Sequence, residues 1–128
     1  MKLSTYATIS AIVAFAYAIA LLFFPVPFIE KYGVVLDPAS TVITRYFGSA
    51  MLAFATLYWI NRNIPASDKS WSGLLWSGVF LNVANAIITV MAITKGIGNS
   101  LGWSTVAVNV IFALGSLYFI SKKNKVTA

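Results

Sequence analysis

The sequence predicts an all-α integral membrane protein, a four-helix bundle with both termini cytoplasmic. Three observations predict it. First, hydrophobic residues make up 59% of the 128 residues and charged residues only 9%. A soluble domain carries about 25% charged residues, so water does not solvate most of this surface, and the mean hydropathy of +0.84 agrees. Second, four apolar segments each approach the roughly 20 residues that cross a bilayer. They lie at about Leu3–Phe24, Pro38–Ile60, Trp71–Thr94 and Leu101–Ile120, and residues 1–128 form one domain around them. Third, the charge outside the segments is lopsided. Four spans place both termini and the Asn61–Ser70 link on one side, with Lys2, Arg62, Lys69, Lys122, Lys123 and Lys125; the other side holds Lys31 and Lys95. The positive-inside bias makes the richer side cytoplasmic, in the inner membrane of a prokaryote.

The first span begins like a secretory signal, with Lys2 ahead of an apolar run and Ala16-Tyr17-Ala18 as a small-x-small site. The run continues to Phe24, beyond a signal core of roughly 7–15 residues, which predicts a retained anchor. Ala7, Ala11, Ala14 and Ala18 recur at three and four, a face suited to close helix packing. Pro25 and Pro27 end this span. The link Pro25–Leu36 is too short to cross and too apolar for free solvent, so it is expected at the membrane interface, with Phe28, Ile29 and Tyr32 toward lipid or bundle.

Asp37-Pro38 opens the second span: aspartate accepts from free helix N–H groups and proline suits the first helical position. Ser70 is placed to cap the third span. Lys95 and Gly96 end it, charge against the helix dipole and glycine for a left-handed turn. Gly98-Asn99-Ser100 turns into the fourth span, and the basic tail SKKNKVTA follows Ile120. Trp59 and Trp71 are expected at the inner interface and Trp103 at the outer one. No repeat relates the two halves, so the inverted-repeat transporter pattern is unsupported.

Composition narrows the chemistry. There is no cysteine and no histidine, and the only acids are Glu30, Asp37 and Asp68. Disulfides, thiolate sites and the commonest metal ligand and general base are thereby removed. The sequence predicts no catalytic residues, no metal and no cofactor. The net charge of +6 is assigned to anionic lipid and topology rather than nucleic acid.

Polar residues inside the spans carry the remaining signal. Arg45 lies seven residues after Pro38, about 10 Å along a helix. At mid-span an arginine costs roughly 2.5–3.5 kcal/mol. It either snorkels to headgroups or turns inward. Asp37, Thr41, Arg45 and Ser49 share one face beside Gly48, and a polar stripe is expected to face the bundle. Ile43, Phe47, Ala50 and Phe54 then face lipid. Matching stripes run through Gly78, Asn82, Asn85 and Thr89, through Gly102, Thr105, Asn109, Phe112 and Ser116, and through Tyr6, Ser10 and Tyr17. Counted from the outer ends, Tyr17, Arg45, Asn85 and Asn109 all fall at about 10–14 Å. The asparagines serve either as interhelical amide contacts or as part of a site.

The run Pro25, Tyr32-Gly33, Asp37, Arg45-x-x-Gly48-x-x-x-Leu52, with Gly102-Trp103 opening the last span, resembles small four-helix bacterial membrane proteins of the DoxX-like superfamily. The resemblance implies a compact four-helix bundle. Some members are similar to membrane subunits tied to quinone-linked electron transfer, but this chain has no histidine or cysteine to hold a redox centre.

Two functions lead, ahead of a third, an enzyme, for which Arg45 and Tyr17 could polarise a substrate but no base is evident. The first is a non-catalytic accessory or structural subunit of a larger membrane assembly, its lipid-facing side set against a second copy or another membrane subunit. The alternative is a binding or transport protein for an anionic or polar-headgroup small molecule or lipid. Its site would be the intramembrane cluster of Arg45, Tyr17, Asn82, Asn85, Asn109, Ser49, Thr89 and Thr105.

Overall fold

The computed structural model describes residues 1–127, with side chains described through Lys122. It is all-helical: α1 Leu3–Phe23, α2 Pro25–Glu30, α3 Pro38–Asn61, α4 Ser70–Thr94 and α5 Gly102–Thr127. Three stretches, Leu3–Phe23, Ser70–Thr94 and Gly102–Lys122, are long and apolar enough to cross a membrane. They mark a membrane protein. α3 is as long, at 24 residues, but Arg45 and several hydroxyl side chains dilute its apolar character.

The helix ends follow local chemistry, with three departures from the sequence reading. α1 stops at Phe23 because Pro25 has no N–H to continue it. Pro25 instead opens α2, so half of the expected interfacial link is a short helix. Asp37 Oδ1 accepts from Ser40 N at 2.7 Å and caps α3. At α4 the capping side chain is Asp68, not Ser70: Asp68 Oδ1 accepts from Ser70 N at 2.8 Å. Gly96 closes α4 with φ 73°, as the C-terminal turn requires. α5 does not stop at Ile120 but runs on through the basic tail to Thr127, and Ala128 lies outside the described residues.

The helices pack as two pairs, α1 with α3 and α4 with α5. The alanine face of α1 is buried as its spacing predicts: Ala7, Ala11, Ala14 and Ala18 have almost no exposed surface. At Gly48 of α3 a Cβ would lie 3.0 Å from Leu21 Cβ and 3.1 Å from Leu22 N. Small residues bring these two backbones together, the main source of association between helices in lipid.

The pairs meet at their two ends. One junction joins the start of α1, the end of α3, the start of α4 and the second half of α5. Its core is Tyr6, Ala7, Ala11, Tyr58, Trp71, Leu75 and Phe119. Tyr6 Oη donates to Phe112 O at 2.8 Å and pairs with Ser116 Oγ at 2.7 Å. Tyr58 Oη donates to Leu74 O at 2.8 Å. A Cβ on Gly115 would sit 2.5 Å from Tyr6 Cε2, and one on Gly78 would sit 2.6 Å from Tyr58 Oη. Both glycines are therefore required by close approach. Trp71 is fully buried here and sends Nε1 toward Ile64 O at 3.4 Å. It anchors the core and is not part of the exposed surface. At the other end, Asn99 joins the α4–α5 turn to the segment after α2, donating from Nδ2 to Lys31 O and from N to Tyr32 O, each at 2.8 Å.

The surface is apolar and the interior partly polar. Ile12, Ile19, Ile43, Phe80, Ile87, Ile111 and Leu114 are exposed, while Ser10, Asn109 and Ser116 are buried. Water would penalise that arrangement, and hydrocarbon favours it.

Candidate functional site

Between the two junctions the helix pairs part and leave a cavity of about 250 Å³. Each long helix contributes one face. α1 presents Tyr6, Ser10, Val13, Ala14 and Tyr17; α3 presents Phe47, Met51, Phe54 and Tyr58; α4 presents Leu81, Asn82, Asn85, Ile88 and Thr89; α5 presents Thr105, Val108, Asn109 and Phe112. The spacings of three and four within each set are those of one helix face. Phe47 and Ile88 line the cavity yet are 41% and 63% exposed. The cavity therefore reaches the surface between α3 and α4, whose contact is slight along their length.

Six of the eight expected site residues meet here: Tyr17, Asn82, Asn85, Thr89, Thr105 and Asn109 line the cavity. Tyr17, Asn85 and Asn109, expected at one depth, line the same cavity. Arg45 and Ser49 are absent from the lining, and both are exposed on the far side of α3. Arg45 makes no hydrogen bond or ion pair to any described residue, including Tyr17, Asn85 and Asn109. The face expected to meet lipid, carrying Phe47 and Phe54, is the one turned to the cavity alongside Asn85 and Asn109. α3 is thus rotated relative to the sequence reading. Met51 and Tyr58, which the sequence reading did not select, complete its inner stripe. Their spacing with Phe47 and Phe54 (four, three and four) was the available signal.

The reason is visible in the polar side chains of α3. Thr41 Oγ1 donates to Asp37 O and Ser49 Oγ to Tyr46 O, each at 2.8 Å. Hydroxyls bonded to their own helix carry no penalty for facing lipid, so a hydroxyl stripe does not force a helix inward. The cavity, in contrast, needs bulk, and aromatic rings supply it.

The amides in the cavity also bond locally rather than across the bundle. Asn82 Nδ2 donates to Gly78 O at 2.7 Å, and Asn109 Nδ2 donates to Thr105 O at 2.8 Å. Thr89 Oγ1 donates to Asn85 O at 2.7 Å. The Asn85 amide bonds no described residue. Asn82 and Asn109 each keep an amide Oδ1 and one N–H without a partner among the described residues. Ser10 Oγ is the sharpest case. Its residue is 5% exposed, and the oxygen is buried without a hydrogen-bond partner, near the Tyr6 hydroxyl but outside bonding geometry. A buried hydroxyl left unpaired costs about 1–3 kcal/mol.

The roof of the cavity is aromatic. Tyr17 stacks edge-on to Phe28 at 5.9 Å, and Phe28 packs on Tyr32 at 5.6 Å. Thr105 Oγ1 reaches Tyr32 Oη at 3.4 Å. Of the three link residues expected at the interface, Phe28 and Tyr32 therefore turn to the bundle. No group of described His, Cys, Asp or Glu residues could hold a metal ion. No protein-family model, curated protein or solved structure matches this chain.

Proposed function

We propose that this chain is a four-span protein of the prokaryotic cytoplasmic membrane that holds a small, neutral, mostly apolar molecule in its central cavity. In this reading α3 is the fourth span, completing a four-helix bundle of DoxX-like type with both termini cytoplasmic. One observation carries the ligand: Ser10 and Asn85 line a single cavity, and among the described residues nothing satisfies the Ser10 hydroxyl or the Asn85 amide. A molecule with one or two hydrogen-bonding groups on an apolar body would satisfy both. Neutrality follows from the lining, which contains no charged side chain among the described residues. An ion there would be desolvated with only dipoles to answer it. The anion expected from the sequence depended on Arg45, which lies outside. The gap between α3 and α4 supplies a path from the bilayer. The role is binding rather than catalysis, because amides and hydroxyls are poor bases at neutral pH.

The test is native mass spectrometry of the full chain released from mild detergent. The expected result is a retained small molecule that is lost in Ser10→Ala and in Asn85→Leu. Retention of detergent alone, unchanged by either substitution, would end this reading.

A second reading, an accessory subunit, is favoured by the outer face of α3. Arg45 and Tyr46 are exposed there, and with α3 as a span they lie at membrane depth. An arginine facing hydrocarbon alone is costly, so a neighbouring subunit or a second copy on this face would stabilise it. Cross-linking from a photoreactive residue at Ser49 tests it; adducts to lipid only exclude a partner at that face.

A further inference from the structure

A second cleft lies at the other side of the closed junction, at the end of the molecule that carries the Asn61–Ser70 loop. It measures about 640 Å³ and brings together three segments distant in sequence: the start of α1, the α3–α4 loop and the end of α5. Among the described residues its walls hold three cations, Lys2, Arg62 and Lys122, and no carboxylate. The acid of the same loop, Asp68, lies outside the lining and bonds Ser70. The floor is apolar, formed by Leu75 and Phe119 of the junction core.

Two features make this more than a scatter of basic side chains. Arg62 is held in place. Its guanidinium carbon lies 3.8 Å from the centre of the Trp59 ring, and one guanidinium nitrogen donates to Trp59 O. An arginine has five N–H donors in a fixed fork, so the others remain free for an oxyanion. Lys122 Nζ lies 6.0 Å from the Tyr118 ring, bringing a second cation to the same end. The cleft also joins charge to grease: a phosphate among the cations places its attached chains over Leu75, Phe119 and the apolar helix surface. A phosphate ester on two acyl chains has this division of polarity, and a free phosphate does not.

The geometry points to the cleft formed by Lys2, Arg62 and Lys122 as a seat for the phosphate headgroup of an anionic phospholipid. The inference uses the membrane reading but not the ligand of the central cavity, since the two sites share no lining residue. A cation near an anionic headgroup contributes about 1 kcal/mol, equivalent to about a fivefold change in affinity.

The experiment titrates the full chain in detergent micelles with phosphatidylglycerol, phosphatidylcholine or inorganic phosphate. It reads bound lipid by native mass spectrometry and stability by thermal unfolding. Phosphatidylglycerol is expected to bind and raise Tm, and the other two are not. Lys2→Gln with Lys122→Gln leaves the Arg62–Trp59 stack intact and should weaken phosphatidylglycerol binding about thirtyfold. Adding Arg62→Gln should bring the loss to about a hundredfold. Lys95→Gln at the opposite end and Asn85→Leu in the central cavity should leave it unchanged. Equal binding of phosphatidylcholine would overturn the site, as would full binding by the double variant. An equal Tm rise from inorganic phosphate would replace the lipid with a free anion. Loss of binding in Asn85→Leu alone would place the lipid in the central cavity instead.

Discussion

The closed junction and the central cavity sit on the same four helices, one stacked above the other, and treat polar side chains in opposite ways. At the junction hydroxyls cross between helices: Tyr6 reaches Phe112 O and Ser116, and Tyr58 reaches Leu74 O. In the cavity the amides of Asn82 and Asn109 fold back on their own helix. The difference is one of approach. Gly78 and Gly115 let tyrosines come within contact of the facing backbone. One and two turns further along α4, Asn82 and Asn85 face open space. The same helix pairs are therefore fastened where glycine meets tyrosine and left parted where asparagine meets phenylalanine. Polar residues in a membrane helix report either fastening or a site, and the packing opposite decides which.

Closing or opening the junction gives the strongest way to break this contrast. Gly78→Leu places a side chain where Tyr58 and Ser116 already sit and should cost about 3 kcal/mol. Unfolding in detergent, followed by circular dichroism, reads it. An unchanged transition would mean that the pairs do not meet there.

The next effect isolates a crossing hydrogen bond. Tyr6→Phe keeps the ring against Phe119 at 5.2 Å but removes the hydroxyl. The expected loss is about 1 kcal/mol. A double-mutant cycle with Ser116→Ala should show the two changes coupled; additive losses would remove the Tyr6–Ser116 pair from the account.

In the cavity the corresponding change should be smaller. Asn85→Leu removes no interhelical bond, so stability is expected to shift by less than about 0.5 kcal/mol while ligand retention is lost. A loss as large as that of Tyr6→Phe would show that Asn85 fastens the pairs after all.

The smallest effect lies outside both regions, at the start of α3. The Ser40 N–H, followed by the Ser40 hydroxyl, holds the Asp37 carboxyl below its ordinary value of 3.8. A carboxyl depressed in the folded state stabilises that state above its unfolded pKa, and the contribution is lost as pH falls through the folded value. Native chain should therefore lose a little stability below about pH 4 that Asp37→Asn, which keeps the cap, does not. Matching acid profiles for the two proteins would remove this role from Asp37.

The long helices, most of their ends and most of the inward faces were legible in sequence because they depend on local chemistry. Apolar length set the long helices, Pro25 and Asp37-Pro38 set ends, and Gly96 set a turn. The alanine stripe of α1 announced its packing face because nothing else makes four alanines recur at three and four. The polar faces of α1, α4 and α5 were read correctly because amides and tyrosines need more than their own helix supplies. α3 was misread because its hydroxyls do not. Thr41 and Ser49 satisfy themselves on the backbone, so the polar stripe with Arg45 carried no inward pull. Two stripes on α3 had the right period, and only the shape of the space opposite chose between them. By itself, then, the sequence determined an apolar helical chain, where α1, α3 and α4 begin and end to within a residue, and which residues α1, α4 and α5 turn inward. Tertiary structure decided the rotation of α3, the outward place of Arg45 and the gap between the pairs. Those depend on the summed volume of side chains from four helices, which no single segment encodes.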